Sequence, residues 1–445
     1  MRSKLFAGAA IVAVCAALSL AAQAQTASCS ANDDWFPHAK TPEPDSADFP
    51  EGLTKTITNC SFHKWSWNAF LWLTQDVGGE PRFLHFTETG IETVNAGIET
   101  KSDVADPLIG RAVKARALNL IDQAGPDGIM VDQQGRAIYY SIHSNKTFGD
   151  FLQQNGLLDP AKLRAFSPTA NFPAGAMTLK AAWKVVAPDE DVSTFYTRDA
   201  EIAKLAKKDG KITLSGETEK AKVALVGFHV AGVVKGHPEM IWATFEHKDN
   251  APDLPKPVND MTPNEKVSDK NWTFYKANTP FKDCNINSAG SGALTLDESR
   301  QTLSPVTQVC RIIPYGGGNK MNVADIMDLN GSVHGQLKDV WNNYFEVGAI
   351  WFSATDALKP NCNFQPGALQ CPAPGDPVGI LTGSTQLSNA TVETFTQSQS
   401  AQDNCFACHN TVQVPSQTAK APALPGLNVD ISHVLINEYF KAASK

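Results

Sequence analysis

Apolar residues recur at helical spacing early in the chain. Across residues 61–74, Phe62, Trp65, Ala69, Trp72 and Leu73 fall on one stripe, the recurrence that lines one face of an amphipathic helix. The stripe is heavily aromatic and predicts a core helix, because such faces chiefly supply buried area. From Gly128 the period changes to two. Ile129-Met130-Val131 and Ala137 to His143 flank the turn-like Asp132-Gln133-Gln134-Gly135 and predict a hairpin. A short helix is expected around residues 149–158 and another after Pro160. Residues 177–186 read as a strand with Trp183 on one face, and residues 223–233 and 240–247 as a second hairpin across Lys235-Gly236-His237-Pro238-Glu239. The fold class this pattern predicts is α+β: a mainly antiparallel β body with helices, and a short helical C-terminal segment.

The pattern breaks over residues 249–309, which are rich in Pro, Asn, Asp, Ser and Gly and predict a long excursion over the surface. Pro314-Tyr315-Gly316-Gly317-Gly318 is a glycine turn without the Lys-Ser/Thr of a phosphate loop. Beyond it, Leu337, Val340, Trp341, Tyr344 and Phe345 repeat at helical spacing after a cap at Ser332, predicting a helix there. A further short helix is expected at residues 388–397.

The N-terminus changes the picture of where the chain works. Met1-Arg2-Ser3-Lys4 precedes an apolar run from Leu5 to Ala22, and Ala22-Gln23-Ala24 is a small-x-small cleavage site, which predicts a leader at 1–24 removed on export. No later stretch has the length of a membrane span. A periplasmic protein with no membrane span after cleavage is expected, divided into a β-rich body at 25–380 and a C-terminal segment at 381–445. Formal charge is −8 and falls by two more when Arg2 and Lys4 leave. An acidic chain lacks the basic face of a nucleic-acid binder and is compatible with docking to a basic redox partner.

Nine cysteines are present. Cys15 leaves with the leader. Cys29 with Cys60, Cys284 with Cys310, and Cys362 with Cys371 form three local couples, and an exported chain is expected to oxidise them to disulfides. The remaining two carry the most specific signal in the chain, Cys405-Phe406-Ala407-Cys408-His409, the C-x-x-C-H signature of covalent haem attachment. Two thiols at this spacing reach the two vinyl groups on one porphyrin edge while the next imidazole binds iron. A thioredoxin-like motif would open a helix in a βαβ context, and structural zinc would need a second Cys or His pair nearby. Neither context is present. One haem c, bound by Cys405 and Cys408 with His409 as proximal ligand, is expected.

Several short motifs carry a resemblance. Trp65-Ser66-Trp67-Asn68-Ala69-Phe70, Tyr139-Tyr140-Ser141-Ile142-His143-Ser144-Asn145, Leu179-Lys180-Ala181-Ala182-Trp183, Gly227-Phe228-His229 and Ile241-Trp242-Ala243-Thr244-Phe245-Glu246-His247, ending in the haem signature, resemble a group of large, exported bacterial cytochrome c family proteins of unassigned activity. The resemblance implies a haem protein and brings no substrate.

The second axial position is open to His433, the one histidine beyond the motif, to Met321 or Met327, or to no side chain at all. His229, His237 and His247, with Glu246, form another cluster in which His229 and His247 could approach across paired strands; core packing is the preferred reading there, as it is for His143, Tyr139 and Tyr140. Electron transfer with a redox partner protein is the expected function, with His433 completing the iron. The alternative is a monohaem oxidoreductase, peroxidase- or oxidase-like, with an open distal position covered by residues 249–309.

Overall fold

Thr58 and Ser61 exchange capping bonds at the start of helix α1 (Asn59–Thr74), and the aromatic stripe then runs its full length. Phe62, Trp65, Ala69, Trp72 and Leu73 are all buried. The computed structural model describes residues 28–38, 58–88, 118, 120–125, 128–317, 319–364, 381–397, 404–416 and 421–443. The leader at 1–24, with Cys15, and Cys371 lie outside them.

Twelve strands follow or flank α1: β1 (Asp76–Val77), β2 (Glu80–Pro81), β3 (Thr87–Glu88), β4 (Tyr139–Ser144), β5 (Met177–Val185), β6 (Thr197–Lys208), β7 (Lys211–Val234), β8 (His237–His247), β9 (Thr295–Asp297), β10 (Thr302–Ser304), β11 (Tyr344–Phe352) and β12 (Leu381–Gly383). Among the described residues one antiparallel sheet dominates, in the order β12-β11-β8-β7-β5-β4-β3, with β6 paired to β7 off this path. The remaining helices are α2 (Lys146–Asn155), α3 (Pro160–Arg164), α4 (Lys320–Gln336), α5 (Cys405–Cys408) and α6 (His433–Ala443). The fold is thus α+β with a mainly antiparallel sheet.

Alternation along the strands gives the sheet two different faces. Phe228, Val230, Ala243 and Phe245 point to one side, into a core with Trp67 and Phe70 of α1; Phe70 stacks on Phe245 at 4.4 Å between ring centroids. Helix α4 packs beside α1, and a fully buried ion pair, His63 Nδ1 to Glu346 Oε1 at 2.8 Å, joins α1 to β11. On the other side Ala231, Met240, Trp242, Ile350 and Phe352 are covered by Phe148 and Phe172, and by Phe406, Ile431 and Tyr439 from the C-terminal segment. That segment shares its core with the sheet.

Strand β7 is far longer than its apolar part. Its first half alternates between exposed and half-buried positions and pairs only with β6, while the half from Val223 onward pairs with β5 and β8. The hairpin expected at residues 223–247 is present, closed by Lys235-Gly236 with Val234 opposite His237. The earlier hairpin is reduced to a single bridge, Val131 to Ala137. Residues 249–309 run largely without regular structure around a small core of Met261, Tyr275 and Phe281, completed by Ile312 just beyond them.

Three expectations need correction. The helix expected through Leu337 to Phe345 ends at Gln336, and Tyr344 begins β11. Tertiary context overrides the spacing there, because β11 fills the free edge of β8. Residues 388–397 form only a short 3-10 turn at Thr394–Thr396. The polar side chains of that stretch clamp it to the sheet instead: Asn389 Nδ2 donates to the Phe245 carbonyl at 2.9 Å, and the Thr391 amide donates to Asn389 Oδ1 at 2.8 Å. Of the cysteine couples, Cys29 and Cys60 form a disulfide, and Cys362 is disulfide-bonded, its expected partner being outside the described residues. Cys284 and Cys310 are brought together but remain buried free thiols. Burial, and then the contact with Cys284, pushes the Cys310 thiol up.

Candidate haem-attachment site

Helix α5 is a single turn, and Asn404 starts it by accepting from the Phe406 amide at 3.0 Å. The His409 amide closes the turn on the Cys405 carbonyl at 2.8 Å. Phe406 is its anchor. Fully buried, its ring lies 4.9 Å from Phe352 and 6.3 Å from Trp242 on the sheet. Cys405 and Cys408, three residues apart, are left half-buried and exposed, both as free thiols. Burial, and then the neighbouring Glu393 carboxylate, pushes the Cys405 thiol well up. That is the opposite of the depressed thiol a redox C-x-x-C motif relies on.

His409 is fixed on three sides. Its Nδ1 donates to the Ile431 carbonyl at 3.0 Å, so Nε2 carries the lone pair, the tautomer a metal-ligating imidazole needs. The ring lies between Trp242, at 4.1 Å and 32°, and His433, at 4.0 Å and 26°. Burial first, then the His433 and Lys180 charges, lowers its pKa well below the ordinary imidazole value, which keeps the ring neutral. Two free thiols and an unprotonated Nε2 at this spacing are the donor set of haem c, and the residues present fit that group. Among the described residues no group of three or more His, Cys, Asp or Glu is placed to hold a metal ion directly; a covalent porphyrin would ask the motif for one imidazole and two thiols.

His433 is brought next to the motif. Its Nε2 faces the Cys408 carbonyl at 3.1 Å, and its ring stacks flat on His409. Two imidazoles on opposite faces of a porphyrin point their nitrogens at each other across the iron, and stacked rings cannot. The chain explains the placement: Ile431 holds Nδ1 of His409, and His433 follows two residues later. Met321 and Met327 are not brought there. Both lie on α4, against the α1 side of the sheet, and they are 64% and 52% exposed.

The other histidines do not converge. In register, His229 opposes Thr244. His247 stacks on Phe195 at 3.6 Å, with its pKa lowered to about 3 by burial. His237 Nδ1 pairs with Glu239 at 2.8 Å, and Glu246 is held by Arg311 at 2.6 Å. The Tyr139 and Tyr140 hydroxyls each donate to a backbone carbonyl at 2.7 Å, and His143 faces Ser141 Oγ at 2.9 Å. Apart from His229, these residues are buried singly in the body and form no common site.

One histidine differs. His229 Nε2 meets Glu393 Oε1 at 2.7 Å, and Lys180 stands directly across from His229 on β5. Glu393 carries no sequence signal, and Lys180 stands in the Leu179–Trp183 motif with no role attached to it. The two belong together only through strand register and the clamp at residues 389–394. Trp242, which supports His409, was legible as part of a strand, but not as the floor of the site.

No family model matches the chain, and no solved structure matches it.

Proposed function

We propose that this chain is an exported c-type haem protein working by oxidation–reduction in the periplasm, akin to the large bacterial cytochrome c proteins its motifs resemble. What carries the reading is the bond from His409 Nδ1 to the Ile431 carbonyl, which leaves Nε2 as a ligand beside two free thiols. Cys405 and Cys408 would hold one porphyrin through thioethers, and His409 would ligate its iron. Trp242 and His433 keep the imidazole from turning, and Phe406 fixes the motif to the sheet. The haem would supply a redox-active iron whose potential depends on axial ligation and burial. Given the −8 charge, a basic redox protein is the partner whose docking electrostatics favour.

The position of His433 on the His409 side favours a monohaem oxidoreductase with its second axial position open. Electron transfer through a six-coordinate iron is the second reading, and it requires the tail to release Ile431 and swing His433 across. Absorption and electron-paramagnetic-resonance spectra of the oxidised protein, with and without cyanide, separate the two. The open reading expects a high-spin signal that cyanide converts to low-spin. A spectrum already low-spin, indifferent to cyanide and made high-spin by His433→Ala, would establish the carrier instead.

A further inference from the structure

Lys180, His229 and Trp242 share one face of the sheet. Lys180 pairs with His229 across β5 and β7, and Ala231, the next residue of β7 on that face, pairs with Trp242 of β8. His229 and Trp242 are therefore diagonal neighbours, roughly 7–8 Å apart by the usual sheet spacing, and Trp242 carries the His409 ring. The charge of Lys180 acts on Cys408, His409 and His433, that of His229 on His409, and that of Glu393 on Cys405. All of these groups except Cys408, which is exposed, are half-buried. Each is thus partly open to solvent.

Their polar atoms are oriented. Glu393, although desolvated, is held below the ordinary carboxyl range by His229 and Lys180, so it accepts the Nε2 proton of His229 at 2.7 Å. In the neutral ring this fixes the tautomer that leaves Nδ1 as an acceptor, the carboxylate–imidazole arrangement of general-base sites, whereas the cationic ring donates from both nitrogens. Lys180 Nζ spends one of its three donors on Gln123 Oε1, at 3.0 Å. A donor and an acceptor thus stand side by side next to the motif.

We propose that Lys180 and His229 form a two-point seat for a small protic oxygen ligand, water or a hydroperoxide, beside the haem that Cys405, Cys408 and His409 would hold. Lys180 donates to the ligand oxygen, His229 Nδ1 accepts its proton's hydrogen bond, and Glu393 is the positioning residue for His229. The inference rests on the open-iron reading above.

Two probes on the oxidised holoprotein test the two halves of the seat. Fluoride, which only accepts, reads Lys180: Lys180→Met should weaken its binding about tenfold, as loss of one hydrogen bond from a charged donor does, and Lys180→Arg should restore much of it. Hydrogen cyanide, which loses its proton as it binds, reads His229: His229→Leu should slow association by about a hundredfold. Glu393→Leu should slow it similarly, whereas Glu393→Gln, whose amide oxygen still accepts from Nε2, should not. Variants that keep the covalent haem spectrum and bind both probes like the wild type overturn the seat and leave the haem assignment standing. A wild-type protein without covalent haem, or with a haem that binds neither probe, overturns the open-iron reading and the seat with it.

Discussion

Asp430 sits in the turn that delivers the Ile431 carbonyl to His409. Its Oδ2 accepts from the Leu427 amide at 2.8 Å, its Oδ1 has no partner, and burial pushes its pKa up to about 7. A folded value above the ordinary one means that the folded chain binds this proton more tightly than the unfolded chain. The resulting stability is complete below the unfolded value, 3.8, and is lost as pH rises through about 7. Asp430→Asn keeps an oxygen for Leu427 and removes the titration. Relative to the wild type, the variant should gain roughly 1 kcal/mol between pH 6 and pH 8, read from thermal unfolding at the two pH values. Parallel curves would show that Asp430 is already ionised in the fold.

Between sheet and motif, the element that matters is the clamp at residues 389–394. It lies against a bare stretch of β7: a Cβ on Gly227 would fall 2.1 Å from Thr391 Oγ1 and 3.1 Å from Asn389 Oδ1. Gly227→Ala should therefore cost about 1–3 kcal/mol through overpacking and lower the yield of haem-loaded protein, since Glu393 and the approach to α5 ride on the clamp. An unchanged urea midpoint would mean the clamp yields easily. Elements of this kind mark the limit of what the sequence discloses. The spacing of Cys405, Cys408 and His409 is dictated by covalent chemistry and is legible in five residues, and α1 is legible because its aromatic stripe is buried along its whole length. Lys180 and Glu393 meet through register across more than two hundred residues, which no local pattern encodes. The first half of β7 is polar on both sides and is held only by β6, so its strand character is invisible until the partner is known. At Leu337 to Phe345 local spacing misled, because an open sheet edge competed with the helix and won.

For the molecule as a whole, the sheet works as a partition. Its α1 side is a closed aromatic core with the buried His63–Glu346 pair, and the Cys29–Cys60 disulfide ties the N-terminal segment to α1 on that side. Its other side holds the candidate site, with α5, the Ile431 turn and α6 laid over Trp242 and Phe352. The division explains why so large a body serves one short motif: the sheet supplies the floor, the clamp supplies Glu393, and the tail supplies the carbonyl that orients His409. All of it presumes that a haem is there. Intact-mass spectrometry of the protein purified from the periplasm of a host that matures c-type cytochromes tests this most directly. The expected mass is that of the mature chain plus one haem, retained after extraction with acidic acetone, and a Cys405→Ser, Cys408→Ser double variant should lose it. A wild-type mass equal to the bare chain, or a haem that acidic acetone removes, would contradict the account.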